Sequence, residues 1–259
     1  MTITADQHGL WHWSHGSIGA VFSSAVGDYG VSTGPYAACN VGLHGQDDPG
    51  HVLANRRSIM RLGEIPATRV VQARQVHGAS VARTDRDTDK LVDWTLGVAP
   101  EIDADAIVVS GESTAAAILV ADCMPVVLAG RRSVAVVHAG WRSLAGGVLE
   151  AAAAELVVAG DVLVAAVIGP ALGVCCFEVG PEVALEFPED VLDHDRGERP
   201  FLNARLSAHR RIGALGCPLV EHIDICTKCH LECFSHRREN GITGRQAVIA
   251  WYGPQRPLG

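Results

Sequence analysis

Short, unbroken apolar runs constrain this chain more than any other feature. "DAIVVS" (105–110), "AAAILVAD" (115–122), "SVAVVHAG" (133–140) and "DVLVAAVIGP" (161–170) are apolar almost throughout, and turn-forming stretches such as "AGRRS" separate them. A strand with one wet face alternates polar and apolar residues. A run that does not alternate, and is too short for a helix, reads as a strand buried in a sheet. "SIGAVFSS" (17–24), "ATRVVQARQVHG" (67–78, ending near His77) and "RQAVIAWYG" (245–253) add further strands.

Helical stretches intervene without a steady strand–helix–strand rhythm. "DDPGHVLANRRSIMRLG" opens acidic, has a proline in its first turn and stops at Gly63. "SLAGGVLEAAAAELVVAG" reads as one helix despite Gly146 and Gly147, "PEVALEFP" as a short helix, and "FLNARLSAHRRIGALG" as a longer amphipathic one. Residues 26–50 are a glycine-rich ordered loop or a set of tight turns, and 84–101 a surface excursion. The pattern favours an α+β fold over a doubly wound sheet, and the length suits one large domain or two small ones.

Charge and composition narrow the partners. A formal charge of −8 offers no basic footprint for nucleic acid or an anionic membrane surface, and no apolar run reaches bilayer length. The N-terminus lacks a charged start followed by an apolar stretch, so a cytoplasmic protein is expected. Eight cysteines in 259 residues are too few for a disulfide framework, and thiolate, metal-ligand or buried roles fit them better.

The candidate chemistry sits at the ends of the apolar runs. His77 ends one, Asp122 and Cys123 end a second and His138 ends a third. Neighbouring strands lie about 4.8 Å apart, so side chains at equivalent ends can converge on one cation. Two imidazoles and a thiolate suit Zn²⁺ and leave a fourth position for water or substrate. A metal-free reading stays open, with Cys123 as nucleophile and His77 or His138 as its base. Asp122 cannot point the same way as Cys123 on a straight strand, and is placed as a proton-handling or ligand-orienting group. In "HAGWRS", Gly140 permits a turn and Arg142 opens the next helix, where an anion such as phosphate could rest. "CTKCHLECFSHRRENGITGR" gathers Cys226, Cys229, His230, Cys233 and His236 in a pattern like a structural zinc cluster. A pocket wall carrying Arg237, Arg238 and Arg245 is the favoured alternative. The adjacent Cys175 and Cys176 should face opposite ways if extended, which would let one approach the site.

Taken in order, "RQVHG", "ADCMPVVL", "VHAGWRSLAGGVLE", "IGPALGVCCFEVG" and "CTKCHLECFSHRRENGITGR" resemble the bacterial YfiH family, also called the laccase-domain or polyphenol-oxidase family. The resemblance implies an α+β fold with a mixed β-sheet core flanked by helices, in a single YfiH-like catalytic domain over 17–252, preceded by an extension (1–16) and followed by a tail (253–259). It implies a catalytic zinc on His77, Cys123 and His138, with Asp122 and Arg142 in the catalytic set. Asn40, Gln75, Thr227 and Arg245 then fall at substrate-binding positions. His236 stands where the family usually has an aromatic residue.

The implied activity is a zinc-dependent purine nucleoside phosphorylase acting on adenosine, inosine, guanosine or methylthioadenosine with phosphate. An adenosine deaminase activity is implied beside it, in a monomer or homodimer. The family has also been described as a copper-dependent polyphenol oxidase. Twelve histidines without one His-x-His pair argue against a multi-copper centre, although Cu²⁺ could substitute at a His₂Cys site. Two other readings stand beside these: an amide hydrolase, zinc- or cysteine-dependent, that edits cell-wall precursors, and a non-catalytic nucleotide-binding protein.

Overall fold

The computed structural model describes residues 3–253. In chain order its strands begin with β1 (Thr4–Ala5), β2 (Trp11–His15), β3 (Ile18–Phe22), β4 (Arg69–Gln72) and β5 (Val81–Arg83). Then come β6 (Val92–Asp93), β7 (Ala106–Ser110), β8 (Thr114–Val120), β9 (Met124–Gly130) and β10 (Ser133–Ala139). The last are β11 (Leu163–Ile168), β12 (Leu192–Asp193), β13 (Phe201–Leu202), β14 (Val220–His222) and β15 (Gln246–Tyr252). The helices are α1 (Pro49–Leu62), α2 (Trp141–Ala145), α3 (Val148–Val158), α4 (Pro181–Ala184) and α5 (Ala204–Ala214).

Two mixed sheets make the core. One has seven strands in the order β1-β2-β3-β15-β8-β4-β6, the other six in the order β14-β11-β9-β10-β7-β5. In the first, β4 runs parallel to β8 while β15 is antiparallel to both β3 and β8. In the second, β9, β10 and β7 are antiparallel neighbours. Residues of both sheets, among them Phe22, Ile118 and Val248 from one and Ile107, Val127 and Val136 from the other, share one buried cluster. The sheets are therefore stacked face to face. Outside the six-stranded sheet, Val126, Leu128 and Val137 pack with Leu149, Ala152 and Leu156 of α3 and Ile212 of α5. Outside the seven-stranded sheet, Val70, Ala117 and Ile249 pack with Ile59 of α1 and with Trp94. This four-layer arrangement explains the unbroken apolar runs: every residue of β9 and β10 is buried, because both sheets are covered on both faces.

Several local expectations change. Within the stretch expected as an N-terminal extension, β1 and β2 extend the larger sheet by pairing onward to β3. The tail falls mostly outside the described residues. The helix expected across Gly146 and Gly147 is two helices: Gly147, at φ +83°, takes the left-handed conformation that suits glycine and stands at the N-terminus of α3. Asp48 caps α1 through hydrogen bonds from the amides of Gly50 and His51.

Candidate metal centre

Two of the crossings between the sheets, both at one rim of the sandwich, carry the candidate ligands from the loops. Residues 73–80 lead from β4 in the larger sheet to β5 in the smaller, and residues 121–123 lead from β8 to β9. His138 lies one residue before the end of β10, paired with Pro125 at the start of β9. The strand expected to end at His77 ends at Gln72, so His77 is a loop residue, and Asp122 and Cys123 occupy the second crossing. Both crossings hold a non-glycine residue in left-handed conformation, His77 at φ +59° and Asp122 at φ +85°. Each such residue costs about 1–3 kcal/mol, which the surrounding packing must offset.

These crossings bring the three ligand candidates together. The ligand atoms of His77, Cys123 and His138 all lie within 4.8 Å of one another. Cys123 Sγ is 3.9 Å from His77 Nε2, near the roughly 3.6 Å separation of sulfur and nitrogen around a tetrahedral zinc. The two imidazoles meet edge to face, with centroids 4.8 Å apart. A Cβ on Gly140 would lie 3.0 Å from His77 Cδ2 and 3.1 Å from Cys123 Sγ. Gly140 has an ordinary φ of −70°, so it serves by close approach and not by turning the chain.

Asp105 organises this centre, and the sequence reading missed it. Its carboxylate is fully buried and accepts a hydrogen bond from His138 Nδ1 at 2.7 Å. It also accepts from the successive amides of Val76, His77 and Gly78 at 3.2, 3.0 and 2.7 Å. One carboxylate thus fixes the loop that carries His77 and turns Nε2 of His138 toward the ligand cluster, the role such partners play around metal-binding histidines. Burial pushes the Asp105 carboxyl up, but His138 and the Gly78 and Val76 amides outweigh it and hold it below its ordinary value. The signal available in sequence was an aspartate joined directly to a buried strand, in "DADAIVV".

The electrostatics favour a thiolate. Burial raises the Cys123 thiol, but hydrogen bonding and charge from His138 and His77 bring it down to about 6. Burial lowers His138, while Asp105 and Cys123 raise it to about 9. Sulfur is therefore already in the form that ligates a cation, and His138 must release a proton when it does so.

The cluster opens into a cavity of about 610 Å³, within the range of small-molecule sites. The other expected residues separate into those that line it and those that hold its walls. Gln75 lines it while its amide pairs with the Leu119 backbone in both directions, at 2.7 and 2.8 Å. Arg245 lines it beside Cys123 and Asp122; burial lowers its pKa and their charges oppose this. Asn40 is buried outside the lining, where its side chain binds the backbone of Gly42, the Arg245 amide and Asp47. Thr227, also buried, donates to Asp122 Oδ1 at 2.5 Å, and Asp122 Oδ2 accepts from the Arg237 amide at 2.7 Å. Asp122 therefore ties the closing segment to the rim.

Arg142 departs from its expected place. It is exposed, lies 4.1 Å from the centroid of its neighbour Trp141 and is not among the lining residues. At the second position of α2 its side chain stacks on Trp141, and the arginines lining the cavity are Arg56, Arg74, Arg237 and Arg245. Of these, Arg56 is buried and committed to the carbonyls of Val41 and Trp94, and Arg74 pairs with Asp103. Within 226–236, Cys233 and His236 stand apart from Cys226 and Cys229: Cys233 is fully buried among apolar side chains and His236 lines the cavity. Arg238 reaches the carbonyls of Thr227 and Cys233, bracing the wall from behind.

Comparison with known proteins agrees with this architecture. The family model described as multi-copper polyphenol oxidoreductase laccase matches residues 20–253. Purine nucleoside phosphorylase YfiH of Escherichia coli is 31% identical over 243 residues, covering 90% of this chain and 93% of its own. Purine nucleoside phosphorylase YlmD of Geobacillus stearothermophilus is 32% identical over 257 residues, covering 91% of this chain and 90% of its own. The crystal structure of Bacillus licheniformis hypothetical protein YfiH has the same fold, with a TM-score of 0.86 at 24% identity across 96% of this chain and 98% of that one. The family description names several coppers, whereas the histidine-bearing ligand group found among the described residues offers two imidazoles and one sulfur. Because the match runs from β3 to the end of β15, the chain belongs to the family described as multi-copper polyphenol oxidoreductase laccase, whose YfiH-type relatives share its fold.

Proposed function

We propose that this chain is a zinc-dependent purine nucleoside phosphorylase that also deaminates adenosine. The observation that carries the reading is a three-ligand His₂Cys centre on the lining of a nucleoside-sized cavity that also holds cationic side chains, in a chain of net charge −8. The names of the relatives supply the reaction class. Soft sulfur and borderline nitrogen donors at these separations fit zinc, and a bound zinc would supply a Lewis acid with a free fourth position.

The chain's own residues would divide the remaining work. Arg245 and Arg237 are assigned to inorganic phosphate, in place of Arg142, because both line the cavity. Trp141 and Phe177 line it as well and offer apolar faces to a purine. In phosphorolysis a phosphate oxygen bonds to C1′ as the C1′–N9 bond breaks, and the purine leaves with the bonding pair. The arginines hold the incoming anion against the positive charge developing on the ribose. Asp122, fixed by Thr227 and the Arg237 amide, is the carboxylate placed to hold or move a proton at the purine. In deamination the same pocket would direct water to the purine C6 and release ammonia.

Purified protein given inosine with and without phosphate tests this reading. Hypoxanthine release that requires phosphate, with ribose 1-phosphate formed in equal amount, is the expected result. An absence of turnover across a panel of purine nucleosides would remove it.

A further inference from the structure

A second group of potential ligands lies apart from the cavity centre. Cys175, Cys176, Cys226 and Cys229 bring four Sγ atoms within 4.8 Å of one another. Two come from the turn after Gly173 and two from the C-x₂-C of the closing segment, more than fifty residues away. Cys229 Sγ is 3.7 Å from Cys175 Sγ and 3.4 Å from Cys176 Sγ. Four sulfurs around one ion with metal–sulfur bonds of about 2.3 Å stand about 3.8 Å apart. A disulfide needs about 2.05 Å, and all four thiols are free.

The backbone around them is built for close approach. Ala171 and Cys226 form a parallel bridge, and the Thr227 amide donates to the Ala171 carbonyl at 3.1 Å. The Gly173 amide donates to Cys226 Sγ at 3.3 Å. A Cβ on Gly173 would lie 3.1 Å from Cys226 Cβ and 3.2 Å from Cys175 Sγ. On the other side, the amides of Cys229 and His230 both donate to the Cys226 carbonyl, closing the C-x₂-C turn. Structural cysteines usually act as small buried apolar groups. Here two of the four are exposed and two half-buried, so core packing does not account for their meeting.

We infer that Cys175, Cys176, Cys226 and Cys229 form a closed tetrathiolate site for a single thiophilic divalent cation, zinc by coordination preference, that clamps together the two loops carrying Phe177 and Arg237. With no free position, such an ion would be structural. Cys226 lies next to Thr227, whose hydroxyl fixes Asp122, so the clamp would hold the cavity wall in place.

Metal analysis and cobalt substitution test the inference without reference to activity. The Cys123→Ala protein removes the only thiolate of the first centre, so cobalt-loaded Cys123→Ala should still show intense near-ultraviolet thiolate-to-cobalt charge transfer. It should also show the strong visible bands of a tetrahedral site. In otherwise native protein, the Cys176→Ser/Cys229→Ser variant should lose one equivalent of zinc per chain, and Cys229→His, which keeps a ligand, should retain it. The inference is overturned if cobalt-loaded Cys123→Ala lacks the charge-transfer band. Unchanged zinc content in the double variant overturns it too, as does a disulfide among these cysteines in freshly purified protein, or iron with inorganic sulfide in place of zinc.

Discussion

Replacing Gly140 by alanine perturbs the metal centre through one methyl group. The residue has φ −70°, so alanine fits the backbone and the N-terminus of α2 is undisturbed. The new Cβ would stand 3.0 Å from His77 Cδ2 and 3.1 Å from Cys123 Sγ, contacts that force those neighbours to give by a few tenths of an ångström. Metal–ligand distances tolerate only about 0.2 Å, so the displacement reaches beyond what a bound ion accepts. His77 is held through its loop by Asp105, and Cys123 by the crossing into β9, so neither can yield freely. Zinc affinity should fall at least about tenfold, equivalent to about 1.4 kcal/mol, with phosphorolysis falling alongside it. Competition against a chromophoric chelator measures the affinity, and thermal unfolding of the metal-free protein shows that the fold is kept. Zinc binding within twofold of the parent in a folded Gly140→Ala protein would refute the argument that this glycine exists to admit the ligands.

Other substitutions probe the remaining parts. Asp105→Asn removes the carboxylate from His138 Nδ1 and should cost about 10–100-fold in zinc affinity. Chelator competition measures this, with a fall in the His138 pKa read by NMR on metal-free protein; an unchanged pKa would contradict the contact. Arg245→Gln should raise the KM for phosphate several-fold more than Arg142→Gln does, and the reverse order would restore the helix-start arginine as the clamp. Asp161 accepts hydrogen bonds from the amides of Arg131, Arg132 and Val162 and from the Ser133 hydroxyl, which together hold its pKa below the ordinary value despite burial. A depressed carboxyl contributes stability above its unfolded pKa near 3.9 and loses it as the pH falls through the folded value. Asp161→Asn should therefore cost about 2 kcal/mol in urea unfolding at neutral pH, and the gap should narrow below about pH 4. A constant gap would show that charge is not the source.

How far the sequence carries can be judged residue by residue. The runs that became β7, β8, β10 and β11 were legible because burial on both faces leaves an apolar stretch with no alternation. His77, Cys123 and His138 were legible as candidates because polar, ligand-forming side chains at the ends of such runs stand out. Their setting was not. His77 reads as a strand end but sits in a left-handed loop, because three consecutive amides turn toward a carboxylate 27 to 29 residues away. Arg142 looked like an anion ligand from helix position alone, yet stacking on Trp141 turns it elsewhere.

The chain alone determined the α+β class and marked three side chains as candidate metal ligands, since hydropathy and donor chemistry belong to residues taken one at a time. Tertiary structure decided everything that depends on two distant segments meeting. It stacked the sheets so that both ligand-bearing crossings fall at one rim, set Asp105 beneath two ligands, left room only for hydrogen at Gly140, and carried Cys175 and Cys176 to Cys226 and Cys229. Such pairings come from the packing of whole layers, and no local pattern in the chain encodes which loops that packing brings into contact.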